Sequence, residues 1–228
     1  MKKMLFICLL SVSSTIVGQK KNYLNTEVGM PIPLFDYSEG GYADFGYNYG
    51  VEYLHFFKSV GIGLKLNSVT NSINNFTYTK DIKEGLGTND FESINSVHGN
   101  WNHYNIDLVT GAKIKLSDNF DLLFKTIVGV QFSSFPKHST TITTSENYIT
   151  QEMTANMSSA FHYGGEFQLA YNVSEKYAFN LSVGTSFSSQ YFTGYIRLED
   201  VSNIYYLPYS ESIDISVFNI CLGYTYKF

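Results

Sequence analysis

Apolar and polar residues alternate one by one along most of this chain, and a period of two marks strands that present a different face to each side. Phe161, Tyr163, Gly165, Phe167, Leu169 and Tyr171 alternate with His162, Gly164, Glu166, Gln168, Ala170 and Asn172. The same rhythm runs through 177–187 and 218–228, and less strictly through about 23–34, 47–57, 59–67, 103–116 and 119–133, where Leu123 and Ile127 interrupt the polar face. Helical periodicity is nearly absent. The connections alternate in length. They are short around Lys58, around Ser117 and Asp118, and at Ser174 and Glu175, and long at 36–46, 68–102, 134–157 and 189–212.

That alternation gathers all short turns at one end of the sheet and all long loops at the other. Soluble β-sandwiches have no reason to obey it, whereas transmembrane barrels do. The pattern therefore predicts an all-β chain: an eight-stranded antiparallel transmembrane up-and-down β-barrel. Short periplasmic turns and both chain ends would lie on one side, and long extracellular loops on the other. Thr140, Thr141, Thr143 and Thr144 around Ile142 give loop 134–157 enough β-branched character to continue as strand above the membrane. Loop 68–102 is long and polar.

Charge decides which face points inward. The less apolar face carries Glu27, Glu52, Asp107, Asp121 and Glu166, and with them Lys65, Lys113, Lys115, Lys125 and Lys227. A lysine on the lipid face near the midplane costs roughly 2–4 kcal/mol, against a total stability of about 5–15 kcal/mol. Ten charges in lipid are excluded, so this set is expected in the lumen as an ion-pair network. Spacing from the turns suggests Asp121 with Lys115, Glu52 with Lys65, and Lys125 with Glu166. An eight-stranded barrel is just wide enough for side chains to fill it, so the charges are expected to plug the lumen. Tyr23, Tyr53, Phe57, Tyr104, Phe132, Tyr171, Tyr177, Phe187, Tyr224 and Phe228 suit aromatic girdles at the two interfaces. Trp101, Tyr148, Tyr191 and Tyr205 fall in loops, where ligand stacking is open to them.

Composition narrows the classes. Aromatics make up 17% and charged residues only 15% of the 228 residues, which excludes a disordered chain. A net charge of −5 with Arg197 as the one arginine speaks against nucleic acid as a partner. Residues 1–18 read as a signal peptide: Lys2 and Lys3, an apolar stretch over 4–10, then a small-residue exit before Gln19. Removing Lys2 and Lys3 from the 15 basic residues leaves 13 against 20 acidic ones, a net of −7, with Cys221 as the one remaining cysteine. The mature domain is expected to be 19–228. No later stretch reaches the apolar length of a membrane helix.

With its alternating strands, loop rhythm, signal segment and aromatic ending, the sequence resembles the small outer-membrane β-barrels of the OmpA/OmpX type and their counterparts in Bacteroidota. The ending Tyr224-Thr225-Tyr226-Lys227-Phe228 is similar to that family's C-terminal insertion signal. The resemblance implies that Tyr224, Tyr226 and Phe228 are read by the barrel-assembly machinery. It also implies an outer-membrane location in a Gram-negative bacterium, with lipids and other outer-membrane proteins or lipoproteins as partners.

No enzymatic constellation is visible. None of His55, His98, His103, His138 and His162 has a serine two residues later, as a barrel deacylase would require. No histidine pair has metal-ligand spacing, so His98, His103 and His138 are expected to be solvated loop residues and no cofactor is expected. A soluble lipocalin-like carrier is the competing fold, and it would bury the aromatic face. The expected function is non-enzymatic, structural or as an accessory subunit of an outer-membrane assembly, with a narrow conduit for small or hydrophobic molecules as the alternative.

Overall fold

The computed structural model describes residues 21–39, 42–86, 91–144 and 148–228; the expected signal peptide over 1–18 lies outside them. The strands are β1 (Asn22–Leu34), β2 (Ala43–Phe57), β3 (Val60–Ile73), β4 (Phe91–His98), β5 (Trp101–Lys115), β6 (Phe120–Ser134), β7 (His138–Thr144), β8 (Tyr148–Ala155), β9 (Ser158–Asn172), β10 (Tyr177–Glu199) and β11 (Ile204–Lys227). Eight of them close into an antiparallel ring in the order β1-β2-β3-β5-β6-β9-β10-β11. The ring is sealed where β11 pairs back onto β1, from Tyr23 opposite Lys227 to Leu34 opposite Ser216. Closure leaves the ring no free edge, so its backbone donors and acceptors satisfy one another.

The alternation of the sequence becomes an inside and an outside. Val28, Leu64, Leu66, Ile106, Phe167, Phe179 and Leu222 point outward and are 54–65% exposed. Through that band the outward positions carry no Asp, Glu, Lys or Arg. A continuous apolar belt of this extent suits lipid rather than water, and it disposes of the lipocalin-like alternative, whose aromatic face would turn inward. Tyr23 departs from the expected girdle. It shares the inward parity of Glu27, is buried, and packs on Phe56 with ring centroids 4.6 Å apart.

The long connections are more ordered than the sequence suggested. β7 and β8 form over 138–144 and 148–155, as the β-branched run predicts. The stretch 189–212, read as a loop, instead continues β10 and β11 as one long hairpin, with Glu199 opposite Ile204. The turn is made by Asp200, whose carboxylate accepts the backbone N–H groups of Ser202 and Asn203 at 2.7 and 2.8 Å. Such an Asx turn supplies its own hydrogen bonds. Within 68–102, a helix spans Asn75–Leu86 behind Asn74, whose side chain caps Thr77 N at 3.1 Å. β4, β7 and β8 then line up beside the upper part of β10. With β11 they make a five-stranded sheet that projects beyond the ring.

The β2–β3 hairpin is coiled tightly enough to depend on glycine. A Cβ at Gly63 would stand 1.7 Å from the carbonyl oxygen of Tyr53, and one at Gly46 the same distance from that of Thr70. Gly63→Val is therefore expected to abolish the heat-modifiable folded band on SDS gels; a variant that still shows the shift between unheated and boiled samples would contradict this packing.

Candidate functional site

The interior is layered, and each layer follows from the inward residue of successive strand positions. Nearest the short turns, Asp121 lies 3.4 Å from Lys227, which also bonds Asn172. Lys113 donates to the Tyr23 hydroxyl at 2.8 Å and its ammonium stands 5.1 Å from the centre of the Phe56 ring. Above them is an apolar layer of Tyr23, Leu54, Phe56, Val109, Leu123 and Ile127 with Ala170 and Ala178. Leu123 and Ile127, which broke the polar pattern, point inward as its pattern-breakers and fill this layer.

Next comes a chain of five charges. Glu27 is 2.5 Å from Lys65, Lys65 is 2.8 Å from Glu166, Glu166 is 2.9 Å from Lys125, and Lys125 is 2.7 Å from Glu52. All five side chains are buried. Because they come from β1, β3, β9, β6 and β2, the relay ties five of the eight staves across the lumen. Asp107 meets His162 Nδ1 at 2.8 Å, a partner that spacing from the turns did not suggest although inward parity contains it.

The suggested pairs fare differently. Lys125 and Glu166 face each other in register and are bonded. Glu52 and Lys65 also face each other, yet their ion pairs run across the lumen to Lys125 and to Glu27 and Glu166. Lys115 stands opposite Asp121 in register but is not lumenal. Its side chain is 54% exposed at the mouth and pairs with Asp118 at 2.7 Å. It lies one step beyond Lys113 at the strand end, where solvent is available and no closed wall holds the side chain inward. Around it opens a recess of about 490 Å³ lined by Lys113, Lys115, Asp118, Asp121, Glu175 and Lys227.

The opposite mouth is closed by a second apolar layer. Trp101, Phe135 and Phe192 pack edge to face, with Ile213, Ile215 and Val217 beside them. Tyr37 enters this layer from a helical turn over Asp36–Glu39 in the β1–β2 connection. Its hydroxyl donates to Asn71 at 3.2 Å and lies 2.6 Å from His103 Nε2, while His103 Nδ1 is 2.9 Å from Ser133 Oγ. Ser133 donating to Nδ1, and Nε2–H donating to Tyr37, satisfies the whole chain. Trp101, placed by sequence among the loop aromatics, is fully buried, whereas Tyr148, Tyr191 and Tyr205 are exposed. Nothing in the local sequence marks Tyr37, because the turn that carries it in has no periodicity.

The histidines expected in solvent are packed as well. His98 on β4 and His138 on β7 hold their Nδ1 atoms 2.7 Å apart, with the Tyr78 ring stacked on His138. Burial lowers the pKa of His98, and burial together with His98 lowers that of His138 to about 4.

No family model and no curated protein matches this sequence. Among solved structures, the outer membrane protein OprG from Pseudomonas aeruginosa is similar over 94% of this chain and 99% of that one, at 12% identity and a TM-score of 0.52. The fold is that of an eight-stranded outer-membrane β-barrel. Looser likenesses are to Ail of Yersinia pestis, at 12% identity over 92% and 99% of the two chains with a TM-score of 0.46, and to Neisserial surface protein A, at 7% over 91% and 97% with a TM-score of 0.49.

In this barrel Glu166 is the hub of the relay, so Glu166→Gln takes one carboxylate partner from each of two buried ammonium groups and leaves Lys65 with Glu27 and Lys125 with Glu52. The expected loss is about 1.5–3 kcal/mol for the charge-assisted bonds given up, read as a lower urea midpoint in detergent, while Lys115→Ala leaves the midpoint unchanged. Equal midpoints for wild type and Glu166→Gln would contradict the relay. A second expectation concerns the projecting sheet. Both imidazoles of the His98–His138 pair titrate below the unfolded value of about 6.5, so their neutral forms favour the folded sheet above that pH. Stability is lost as pH falls from about 6.5 toward about 4. Hydrogen exchange of β4 and β7, corrected for intrinsic rates, should accelerate over that window and not in the ring strands.

Proposed function

We propose that this chain is a closed, non-catalytic barrel of the outer membrane that serves as a structural element or as an accessory subunit of a larger outer-membrane assembly. Its short turns and chain ends face the periplasm, and its long hairpins face outward. The observation that carries this reading is the filled lumen. An ion relay crosses it, apolar layers lie on both sides, and the cavity left between them is only about 30 Å³, room for about one water-sized occupant. A route for solutes would need these layers to separate. Nine of the ten charges of the sequence reading, all but Lys115, are best assigned to holding staves together, and the histidine and serine positions argue for no catalysis.

What remains to act is the projecting sheet. Tyr191, Tyr195 and Tyr206 stand exposed on it, and exposed tyrosines are common at protein interfaces. Tyr224, Tyr226 and Phe228 serve insertion by the barrel-assembly machinery, and lipids cover the belt. The partners of the hairpins are other outer-membrane proteins or lipoproteins.

Planar-bilayer recording of the refolded barrel tests the closed reading. No steady conductance is expected; reproducible steps would favour the narrow conduit. Purification from the native membrane in mild detergent, with mass spectrometry, separates a subunit from a free-standing barrel.

A further inference from the structure

The small lumenal cavity is lined by Glu27, Lys65, Asn67, Asn105, Asp107 and His162, among others. Its walls are unevenly matched. Apart from Lys65, Glu27 has no donor among the described residues, and the side-chain oxygens of Asn67 and Asn105 are buried with no donor either. Glu27 and Asn105 are each only 5% exposed, so bulk water does not reach them freely. The oxygens of Glu27 and Asn67 converge above Gly50, each 3.1 Å from the point where a Cβ would stand. A missing side chain thus keeps the space between them open.

Charge points the same way. The relay sets three glutamates against two lysines, so one negative charge is left over in the middle of the barrel. Asp107, which bonds His162 Nδ1, stands outside the relay. At the short-turn end the excess has the opposite sign, with Asp121 against Lys113 and Lys227, but the apolar layer lies between. Buried charge without a partner is costly. Oxygen ligands of this kind suit hard cations and not the transition metals that favour nitrogen and sulfur. A single positive charge balances the relay, and a divalent ion would overshoot it.

We propose that the cavity binds one alkali cation, sodium or potassium, through the Glu27 carboxylate and the side-chain oxygens of Asn67 and Asn105. The ion would act as the sixth member of the relay and lock β1, β3 and β5 together.

The test is the unfolding midpoint of the full-length folded barrel in detergent, measured in sodium, potassium and choline chloride at equal ionic strength. The expected result is a higher midpoint in sodium or potassium than in choline, rising with the alkali concentration as binding to the native state alone requires. Asn105→Leu keeps the five ion-paired side chains and should lose that dependence. Gly50→Ala, which places a methyl group between the ligands, should lose it too. Identical midpoints in all three salts would overturn the proposal, as when water fills the cavity or the amides of Asn67 and Asn105 turn to donate to Glu27. Cation dependence that survives in both variants would overturn it equally, by placing the ion elsewhere.

Discussion

An apolar outer band leaves a barrel only one place to put charge, and that place is too narrow to hydrate it. Everything distinctive about this interior follows from that constraint. Each buried lysine or carboxylate must find its partner within a lumen about one side chain wide. The solution here is a line of alternating charges running from stave to stave, not isolated pairs between neighbours. Glu166 illustrates the economy of this arrangement, since its two oxygens hold Lys65 and Lys125 at once. Water is kept away by the Leu54, Phe56 and Leu123 layer below and the Trp101 and Phe135 layer above. The low dielectric between those layers strengthens every attraction and makes any unmatched charge expensive.

A lumen built this way works as a brace. Cross-links from β1, β2, β3, β6 and β9 resist ovalisation of the ring, and the ring in turn fixes the base of β10 and β11. Those two strands run on without interruption into the projecting hairpin, so the sheet beyond the membrane inherits its orientation from the barrel wall. The His98–His138 contact and the Tyr78 stack hold the far edge of that sheet. Rigid support for an exposed surface fits the structural or accessory role proposed above, and a solute pathway would need the opposite.

Much of this was legible in the sequence because period two survives wherever one face meets lipid. The eight staves, the inward set of charges and the register of Lys125 opposite Glu166 all follow from counting residues from the short turns. Counting fails where geometry beyond the pair decides. Glu52 faces Lys65 along the wall but bonds across the lumen, because side chains in so narrow a tube reach the far staves as easily as the near ones. Lys115 has the right parity and the wrong depth. Tyr37 and the helix Asn75–Leu86 come from connections with no strand rhythm, and the 189–212 hairpin is obscured because its Ser, Gln and Gly residues blur the alternation that Tyr191 and Tyr195 continue.

The central claim is that the buried charges act as one coupled relay across the barrel. A double-mutant cycle on Glu52 and Lys125 tests it most directly, using Glu52→Gln, Lys125→Met and the double variant, each measured as unfolding free energy in the same detergent. The account predicts a double variant less destabilised than the two single losses combined, with a coupling of about 0.5–3 kcal/mol. Strict additivity of the two substitutions would contradict it.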